Sequence, residues 1–350
     1  MKTIRVQTNK PYDVIIGSGI LSQLGESLRI FCNGKKVAVL SDSNVWPLYG
    51  ESATESLQKS GFEVITFVFP AGESSKNGGT YLEILNFLAE NKLTRSDCLV
   101  ALGGGVVGDL GGFVSATYLR GIAYVQVPTT LLAAVDSSVG GKTAIDLPAG
   151  KNLAGAFYQP RLVLCDTNTL NTLPEDIFQD GCAEVIKYAV LFDADLFAHL
   201  KQFGISFDRE AVIAQCVQHK ANVVKEDEFD TGKRMLLNLG HTIGHGIEAA
   251  SGYTISHGKA VSTGMTIIAR AAAQKGLCVK ETAQEICHLL QQFSLPTQTE
   301  FSADALLDAM LSDKKRAGDS ITLVVPKAIG NCVLLPTPVK ELPTFIKAGF

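Results

Sequence analysis

One short segment of the chain concentrates residues that bind metal ions. Three of the six histidines, His241, His245 and His257, lie close together there, along with Glu248. On a helix, His241, His245 and Glu248 would share one face, because they are spaced at i, i+4 and i+7. A single histidine on such a face is usually a satisfied core residue, whereas imidazoles with a carboxylate are typical ligands of Zn²⁺ or a similar ion. The spacing therefore predicts a divalent metal site and leaves open which three groups bind.

A glycine-rich turn suggests a second, nucleotide-binding site. Gly103, Gly105 and Gly108 match G-x-G-x-x-G directly after the apolar residues 98–102. Such glycines let the backbone at a helix N-terminus approach a pyrophosphate, although glycine turns also simply connect strands to helices. The turn does not follow the first strand of the sheet, as the usual dinucleotide fingerprint does. Polar residues also follow other predicted strands: Asp42, Glu73, Lys76, Thr129 and Thr130. Each alone could cap a helix, but together they predict one nucleotide lying across that edge.

Charged and amide side chains recur from residue 136 onward, and those between 136 and 152 lie among glycines in an otherwise apolar region. These residues are Asp136, Lys142, Lys151, Asn152, Glu184, Lys187, Lys220, Arg234 and the run 313–316. Any one pair could be an exposed salt bridge that contributes little to stability. If the cations converge, they suit a substrate that carries both a carboxylate and a phosphate. Glu184 is then an acidic candidate for the third metal ligand.

The elements that must position these residues change character along the chain. Up to about residue 170, apolar β-rich segments at 36–40, 64–69, 98–102, 124–127 and 162–164 alternate with helical patterns. This alternation predicts a parallel sheet with helices on both faces, and residues 4–6 and 12–16 could add an edge hairpin. Later segments follow a helical period, at 175–190, 209–225, 236–250, 258–276, 280–293 and 303–312, with a closing hairpin at 320–325 and 332–335. We therefore predict a Rossmann-like α/β domain at 1–173 and a mainly α-helical domain at 174–350.

Composition excludes several functional classes. The chain has 350 residues and a net charge of −4, without a polybasic segment that would favour nucleic acid or a membrane surface. It has no apolar stretch of membrane-spanning length, and its N-terminus lacks the apolar core of a signal peptide. Its eight cysteines form no C-x-x-C pair, a pattern typical of reduced thiols. We expect a cytoplasmic enzyme.

Several motifs together resemble the 3-dehydroquinate synthase family. They are GGGVVGDLGGF from Gly103, VPTTLLA from Val127, SVGGKTA from Ser138, GKNLAGAFYQP from Gly150, CAEVIK from Cys182 and LNLGHTIGH from Leu237. The resemblance runs in order from about residue 36 to about residue 326. It implies a homodimeric, NAD- and metal-dependent carbon–oxygen lyase, with zinc or cobalt as the ion. Its substrate would be 3-deoxy-D-arabino-heptulosonate 7-phosphate, which closes to 3-dehydroquinate in the shikimate pathway of aromatic amino acid biosynthesis and releases phosphate.

The resemblance also implies a role for particular residues. The metal ligands would be Glu184, His241 and His257, whereas helix spacing alone favoured His241 with His245. His245 would instead transfer protons. The implied NAD contacts are Asp42, Gly72, Glu73, Lys76, Gly104, Gly105, Val106, Val107, Gly108, Asp109, Thr129, Thr130, Lys142, Lys151, Thr169, Leu170, Asn171 and Thr172.

The implied substrate contacts divide by chemical group. Lys220 and Arg234 would bind the carboxylate, while Asp136 and Lys187 would hold hydroxyls beside the metal. The phosphate would meet Lys142, Asn152, Asn238, either Lys314 or Lys315, and Arg120 of a second subunit. Which of the two lysines takes this role is left open.

Three other functions compete with this interpretation. A metal-dependent polyol dehydrogenase would consume NAD, but a neutral polyol does not need so many cations. A related sugar-phosphate cyclase could make a different ring, although Lys142 in its Gly-Lys-Thr motif and the pair Lys151 and Asn152 favour dehydroquinate. A non-catalytic NAD-binding protein would not need the complete set of metal-binding residue types.

Overall fold

The computed structural model describes residues 1–313 and 319–350, with side chains described up to 310 and from 319 onward. Within these residues the chain forms two compact units. The first combines Met1–Leu173 with Arg209–Phe229, and the second combines Pro174–Asp208 with Asp230–Phe350. None of the described helices is long and apolar enough to cross a membrane.

The first unit is built on a seven-stranded sheet with the order β1-β2-β9-β6-β5-β3-β4. All neighbouring strands are parallel except β1, which pairs antiparallel with β2. The strands are β1 Lys2–Val6, β2 Tyr12–Gly17, β3 Lys36–Asp42, β4 Glu63–Phe69, β5 Cys98–Gly103, β6 Ala123–Pro128 and β9 Leu162–Asp166. The helices are α1 Leu24–Arg29, α2 Trp46–Lys59, α3 Gly78–Glu90, α4 Gly105–Thr117 and α7 Arg209–Glu226. The predicted parallel sheet is confirmed.

Both faces of this sheet are covered, as its uninterrupted apolar strands require. On β3, Val37 and Val39 pack with residues of α1 and α2, while Ala38 and Leu40 pack with residues of α3 and α4. Successive side chains of a strand point to opposite faces, so a strand buried on both sides reads as a continuous apolar run.

Two parts of the first unit differ from the sequence-based expectation. The glycine-rich polar segment forms an antiparallel hairpin, β7 Lys142–Leu147 with β8 Gly150–Phe157. Few side chains of β8 are buried, so it lacks the apolar pattern that identifies a strand. The helix α7 lies within the predicted helical half of the chain but packs on β1 and β2. A single boundary after residue 173 therefore does not describe the first unit.

The second unit is mainly helical. It contains α5 Glu175–Phe192, α6 Ala194–Phe203, α8 His241–Ala250, α9 His257–Gln274, α10 Lys280–Gln292, α11 Ala303–Asp313, α12 Leu342–Lys347 and a hairpin of β10 Ser320–Ala328 with β11 Asn331–Pro338. The helical pattern of the sequence indicates neither α6 nor α12. The helix predicted at 236–250 begins only at His241, because Gly240 adopts a left-handed conformation at φ 79° and separates α8 from a 3-10 turn at Lys233–Asn238.

Candidate metal and nucleotide sites

A carboxylate and two imidazoles from three helices meet in the second unit. Glu184 Oε1 lies 3.4 Å from His241 Nε2 and also 3.4 Å from His257 Nε2. The ligand atoms of the three residues lie within 4.8 Å of one another. Glu184 is on α5, His241 begins α8 and His257 begins α9. One carboxylate with two imidazoles is a donor set that suits a catalytic zinc ion, and the three residues therefore fit a divalent metal.

Close packing of α8 on α9 brings the two histidines together. A Cβ added at Gly240 would lie 2.6 Å from the carbonyl oxygen of Val261, and one added at Gly264 would lie 2.1 Å from the carbonyl oxygen of Gly240. Only glycine allows such close approach of two backbones, at the residue before His241 and on the helix that His257 starts.

The protonation of the two histidines differs because their neighbours differ. Burial, together with the positive charge of Lys187, lowers the pKa of His241 well below its usual range. Burial would also lower the pKa of His257, but the neighbouring carboxylates of Glu184 and Glu248 raise it to about 10. Without an ion, His241 is thus neutral and His257 holds a proton that a metal must displace.

His245 lies beside the three candidate ligands rather than among them. Its ring centroid is 5.6 Å from that of His241 and 6.2 Å from that of His257, and the residue is exposed. With Glu248 and His257 it forms a second group of potential metal ligands. The i, i+4 spacing of His241 and His245 therefore placed two histidines near each other but missed the partners from α5 and α9.

Other candidate residues of the second unit are also deeply placed. Lys187 is buried one turn from Glu184 on α5 and forms an ion pair with it. Arg234 is buried in the 3-10 turn that precedes α8, and Asn238 ends that turn. Lys314 and Lys315 lie outside the described residues.

The candidate NAD contacts lie at the carboxyl ends of the parallel strands in the first unit. Asp42 ends β3, and Gly72 and Glu73 follow β4. Thr129 and Thr130 follow β6, and Thr169, Leu170, Asn171 and Thr172 follow β9. This edge, between strands whose connections leave in opposite directions, is where nucleotides bind in such sheets.

The N-terminus of α4 follows β5 at the same edge of the sheet. Gly104 is the N-cap of α4 and supplies no side-chain hydrogen bond to the helix, whose first residues are Gly105, Val106, Val107 and Gly108. The hydroxyl of Thr129 is buried without a hydrogen-bond partner among the described residues. A helix N-terminus without a side-chain cap and a buried unsatisfied hydroxyl fit the phosphates and sugar of a dinucleotide.

Lys76 connects the residues of this edge through short polar contacts. Its Nζ lies 2.6 Å from Asp109 Oδ2 and donates to Asn152 Oδ1 at 2.6 Å, and Glu73 is 3.9 Å away. Burial would lower the pKa of Lys76, but the carboxylates of Asp109 and Glu73 raise it, so the ammonium group stays charged. Lys151 lies 4.0 Å from Glu73 on the hairpin. The structure thus brings Asn152, an expected phosphate contact, into the same cluster as expected NAD contacts.

The remaining candidates of the first unit occupy three different places. Lys220 on α7 is buried, pairs with the carboxylate of Asp136 and donates to the Asp136 carbonyl at 2.8 Å. Lys142 starts β7 and is exposed. Arg120 is exposed in the turn after α4, where Leu119 and Arg120 both have positive φ angles, 50° and 66°.

Two contacts around the candidate metal ligands are not predicted by the sequence. Glu248 Oε2 lies 3.5 Å from His257 Nδ1. Asp180 on α5 accepts hydrogen bonds from Ser256 Oγ and from the Lys259 backbone nitrogen at the start of α9. The i+4 spacing of Asp180 and Glu184 on one helix face was a signal that could have indicated the second contact.

The chain is similar over nearly all its length to proteins of one family. A model of the 3-dehydroquinate synthase N-terminal region matches residues 66–180, and a model of the 3-dehydroquinate synthase C-terminal region matches residues 181–316. A 3-dehydroquinate synthase of Clostridium botulinum (strain Alaska E43 / Type E3) is 44% identical over 337 residues, covering 95% of this chain and 96% of the relative.

Solved structures of two other cyclases have a similar fold. A 2-deoxy-scyllo-inosose synthase complexed with carbaglucose-6-phosphate, NAD+ and Co2+ matches with a TM-score of 0.90 and 26% identity, covering 100% of both chains. A 2-epi-5-epi-valiolone synthase from Streptomyces hygroscopicus subsp. jinggangensis 5008, with NAD+ and Zn2+ bound, matches with a TM-score of 0.88 and 25% identity, covering 99% of this chain and 97% of the other.

Proposed function

This chain belongs to the 3-dehydroquinate synthase family, and we propose that it converts 3-deoxy-D-arabino-heptulosonate 7-phosphate into 3-dehydroquinate and phosphate. The matches to the family models and to the relatives confirm the resemblance that the motifs indicated. The observation that carries the proposal is the meeting of Glu184, His241 and His257 in a chain that matches this family along nearly its whole length.

We propose that Glu184, His241 and His257 hold one zinc or cobalt ion. Such an ion would supply Lewis-acid polarisation of a substrate hydroxyl and carbonyl, and NAD would supply reversible hydride transfer. The neutral state of His241 supports its role, because only a neutral imidazole offers a lone pair to a metal. Lys187 beside Glu184 would donate a hydrogen bond to a substrate hydroxyl, and His245 would transfer a proton at the exposed side of the cluster.

NAD is proposed to lie across the carboxyl edge of the sheet in the first unit. The backbone N–H groups at the start of α4 would bind its pyrophosphate, and Thr129 would donate its hydroxyl hydrogen. Asp42, at the end of β3, would accept hydrogen bonds from a ribose. The proposed reaction has no net oxidation, so NAD would be needed only in catalytic amounts.

The buried and exposed cations are proposed to bind the two anionic ends of the substrate. Lys220 and Arg234 would bind its carboxylate, because buried cations bind an anion strongly in a medium of low dielectric constant. Lys142, Asn152 and Asn238 would bind its phosphate. Asp136 pairs with Lys220, and this contact supports a shared role in binding the substrate.

Phosphate release with substoichiometric NAD tests the proposal. We expect many phosphates per NAD, loss of release after metal chelation, and recovery on adding Zn²⁺ or Co²⁺. Accumulation of NADH from a polyol, without phosphate release, would instead support a dehydrogenase that consumes its cofactor.

The likeness to the 2-deoxy-scyllo-inosose synthase supports a second candidate, a cyclase acting on another sugar phosphate. The 44% identity to a 3-dehydroquinate synthase, against 26% to this cyclase, favours the first candidate. A hexose 6-phosphate offered in the same assay discriminates them, because it has no carboxylate for Lys220 and Arg234. Faster turnover of the hexose phosphate would favour the second.

We further propose a homodimer in which Arg120 of each subunit reaches the substrate phosphate of the other. Two adjacent non-glycine residues with left-handed backbone, Leu119 and Arg120, support this role, since such conformations cost about 1 kcal/mol each and recur at functional sites. The eight free cysteines support a cytoplasmic location.

A further inference from the structure

His257 lies between two carboxylates that approach opposite nitrogens of its ring. Nε2 is 3.4 Å from Glu184 Oε1, and Nδ1 is 3.5 Å from Glu248 Oε2. Glu248 is buried on the third turn of α8. We propose that Glu248 is a positioning residue, which fixes the ring of His257 for metal binding without touching the ion. The inference rests on the proposed metal site of Glu184, His241 and His257.

The chemistry of imidazole explains why such a residue is useful. A neutral imidazole carries one N–H group and one lone pair, so Nε2 can bind a metal only when Nδ1 carries the hydrogen. A carboxylate that accepts from Nδ1–H selects this tautomer, fixes the plane of the ring and makes Nε2 a stronger donor. Glu248 lies on the side of His257 where this hydrogen must be.

The other histidine of the cluster shows the same arrangement with a different acceptor. His241 Nδ1 lies 3.1 Å from the carbonyl oxygen of Leu239, while its Nε2 faces Glu184. Both histidines thus direct Nδ1 to an oxygen atom and Nε2 to the same carboxylate oxygen. This parallel supports Glu248 as an orienting acceptor.

The backbone of His257 is held separately from its ring. Asp180 on α5 accepts hydrogen bonds from Ser256 Oγ and from the backbone nitrogen of Lys259 at 3.0 Å, so the residues on either side of His257 are tied to α5. Glu184 lies one turn further along that helix. Rotation of the His257 side chain is the main freedom that remains, and Glu248 restricts it.

A second metal ion bound by His245, Glu248 and His257 is the competing interpretation. It requires Nδ1 of His257 to give a lone pair to one ion while Nε2 gives a lone pair to another. A neutral imidazole has only one such lone pair. The contacts of His257 therefore favour one ion, with Glu248 as hydrogen-bond acceptor.

Titration of the metal-free full chain with Co²⁺ tests the proposal, with affinity measured by chelator competition and geometry by the visible absorption of the bound ion. We expect Glu248→Ala to lower affinity about 10- to 100-fold and to change the absorption spectrum. Glu248→Gln, which keeps an acceptor of the same size, should retain affinity within about fivefold of the unchanged protein. Glu285→Ala, which removes an exposed carboxylate of the same unit, serves as the control and should change neither.

A double-mutant cycle separates positioning from direct binding or simple charge attraction. If Glu248 acts through His257, Glu248→Ala should cause no further loss of Co²⁺ affinity in a His257→Ala background. An additive loss, unchanged affinity in Glu248→Ala, or two ions per unchanged chain would each overturn the proposal. Absence of any ion in the unchanged chain would instead contradict the metal site itself.

Discussion

At the scale of single residues, His245 occupies a position distinct from that of the candidate metal ligands. It shares α8 with His241 but is exposed and lies at the edge of the cluster. A side chain that exchanges protons with substrate and solvent needs such access, whereas a metal ligand does not.

We predict that His245→Ala separates metal binding from turnover. The substitution should keep one ion per chain but lower kcat about 100-fold or more, because general acid–base catalysis typically contributes that much. Metal content and phosphate release measure the two effects. His241→Ala is the matched comparison and should lose both. Loss of the ion in His245→Ala would show that this residue is a ligand.

Asp97 illustrates a purely structural carboxylate in the first unit. Its Oδ1 accepts from the backbone nitrogens of Lys35 and Lys36 at 3.0 and 2.9 Å, and its Oδ2 accepts from the nitrogen and hydroxyl of Thr94 at 2.7 and 2.8 Å. Burial would raise the pKa of Asp97, but these hydrogen bonds lower it below the ordinary value of 3.8. The carboxylate therefore links the loop before β3 to the loop before β5.

We predict that Asp97→Ala destabilises the first unit by about 2 kcal/mol, because four partly buried hydrogen bonds lose their acceptor. Since the folded state lowers the pKa of Asp97, its contribution is present above pH 3.8 and is lost as pH falls through the lower, folded value. The difference in unfolding free energy between the unchanged protein and Asp97→Asn should therefore become smaller as pH falls below 3.8. Urea unfolding at each pH, followed by the fluorescence of Trp46, the single tryptophan, measures this difference for the first unit. A difference independent of pH would contradict the assignment.

At the scale of elements, the junction of α5 with α9 determines where His257 stands. A Cβ added at Gly258 would lie 2.0 Å from the carbonyl oxygen of Asp180, so the two helices touch through their backbones directly after His257. Side chains could not adjust to relieve that contact, because the neighbouring atom belongs to the main chain.

We predict that Gly258→Ala moves the start of α9 away from α5. It should lower the Co²⁺ affinity at least tenfold and destabilise the second unit by about 2 kcal/mol or more, because overpacking forces backbone shifts. Gly78→Ala is the matched control, since a Cβ there would meet no atom within 4 Å, and it should change stability by less than about 0.5 kcal/mol. Unchanged affinity in Gly258→Ala would show that His257 does not depend on this junction.

At the scale of the whole molecule, the candidate residues are divided between two units. The strand-end residues, Lys76, Lys220 and Arg120 belong to the first unit, while the candidate metal ligands and Arg234 belong to the second. The candidate NAD contacts and the candidate metal ligands therefore belong to different units, so variants of the two sets can be combined.

We predict that two inactive variants restore activity when mixed as subunits. Arg120→Ala lacks the cation proposed to cross to the partner, and His241→Ala lacks the metal. In a mixed dimer, the subunit with intact metal ligands receives Arg120 from its partner, so one site of two is complete. Random mixing should recover about a quarter of the unchanged activity. The recovered activity is measured as phosphate release after the two variants are unfolded and refolded together. Each variant refolded alone is the control. No recovery of activity in the mixture would contradict a role for Arg120 across subunits.

The sequence by itself determined the strands of the parallel sheet and the candidate nucleotide edge. The strands from β3 to β6 are mostly apolar, and parallel topology places their carboxyl ends at one edge, so Asp42, Gly104 and Thr129 could be grouped without coordinates. The hairpin of β7 and β8 escaped detection because β8 is largely exposed and has no apolar periodicity. The packing of α7 on β1 escaped it because residues distant in sequence supply the contact.

Only the tertiary structure decided how the candidate metal ligands come together. Helix spacing reveals residues on one face of one helix, and it correctly put His241 near His245. Glu184 and His257 come from other helices, and their approach depends on backbone contacts at glycines that no local sequence pattern encodes. The family resemblance implied Glu184, His241 and His257 as ligands, but it did not give the contacts between them. The contact between His257 and Glu248 could not be predicted from the sequence either. The two residues lie on α9 and α8, which a loop connects, and only the packing of these helices sets the distance between their side chains.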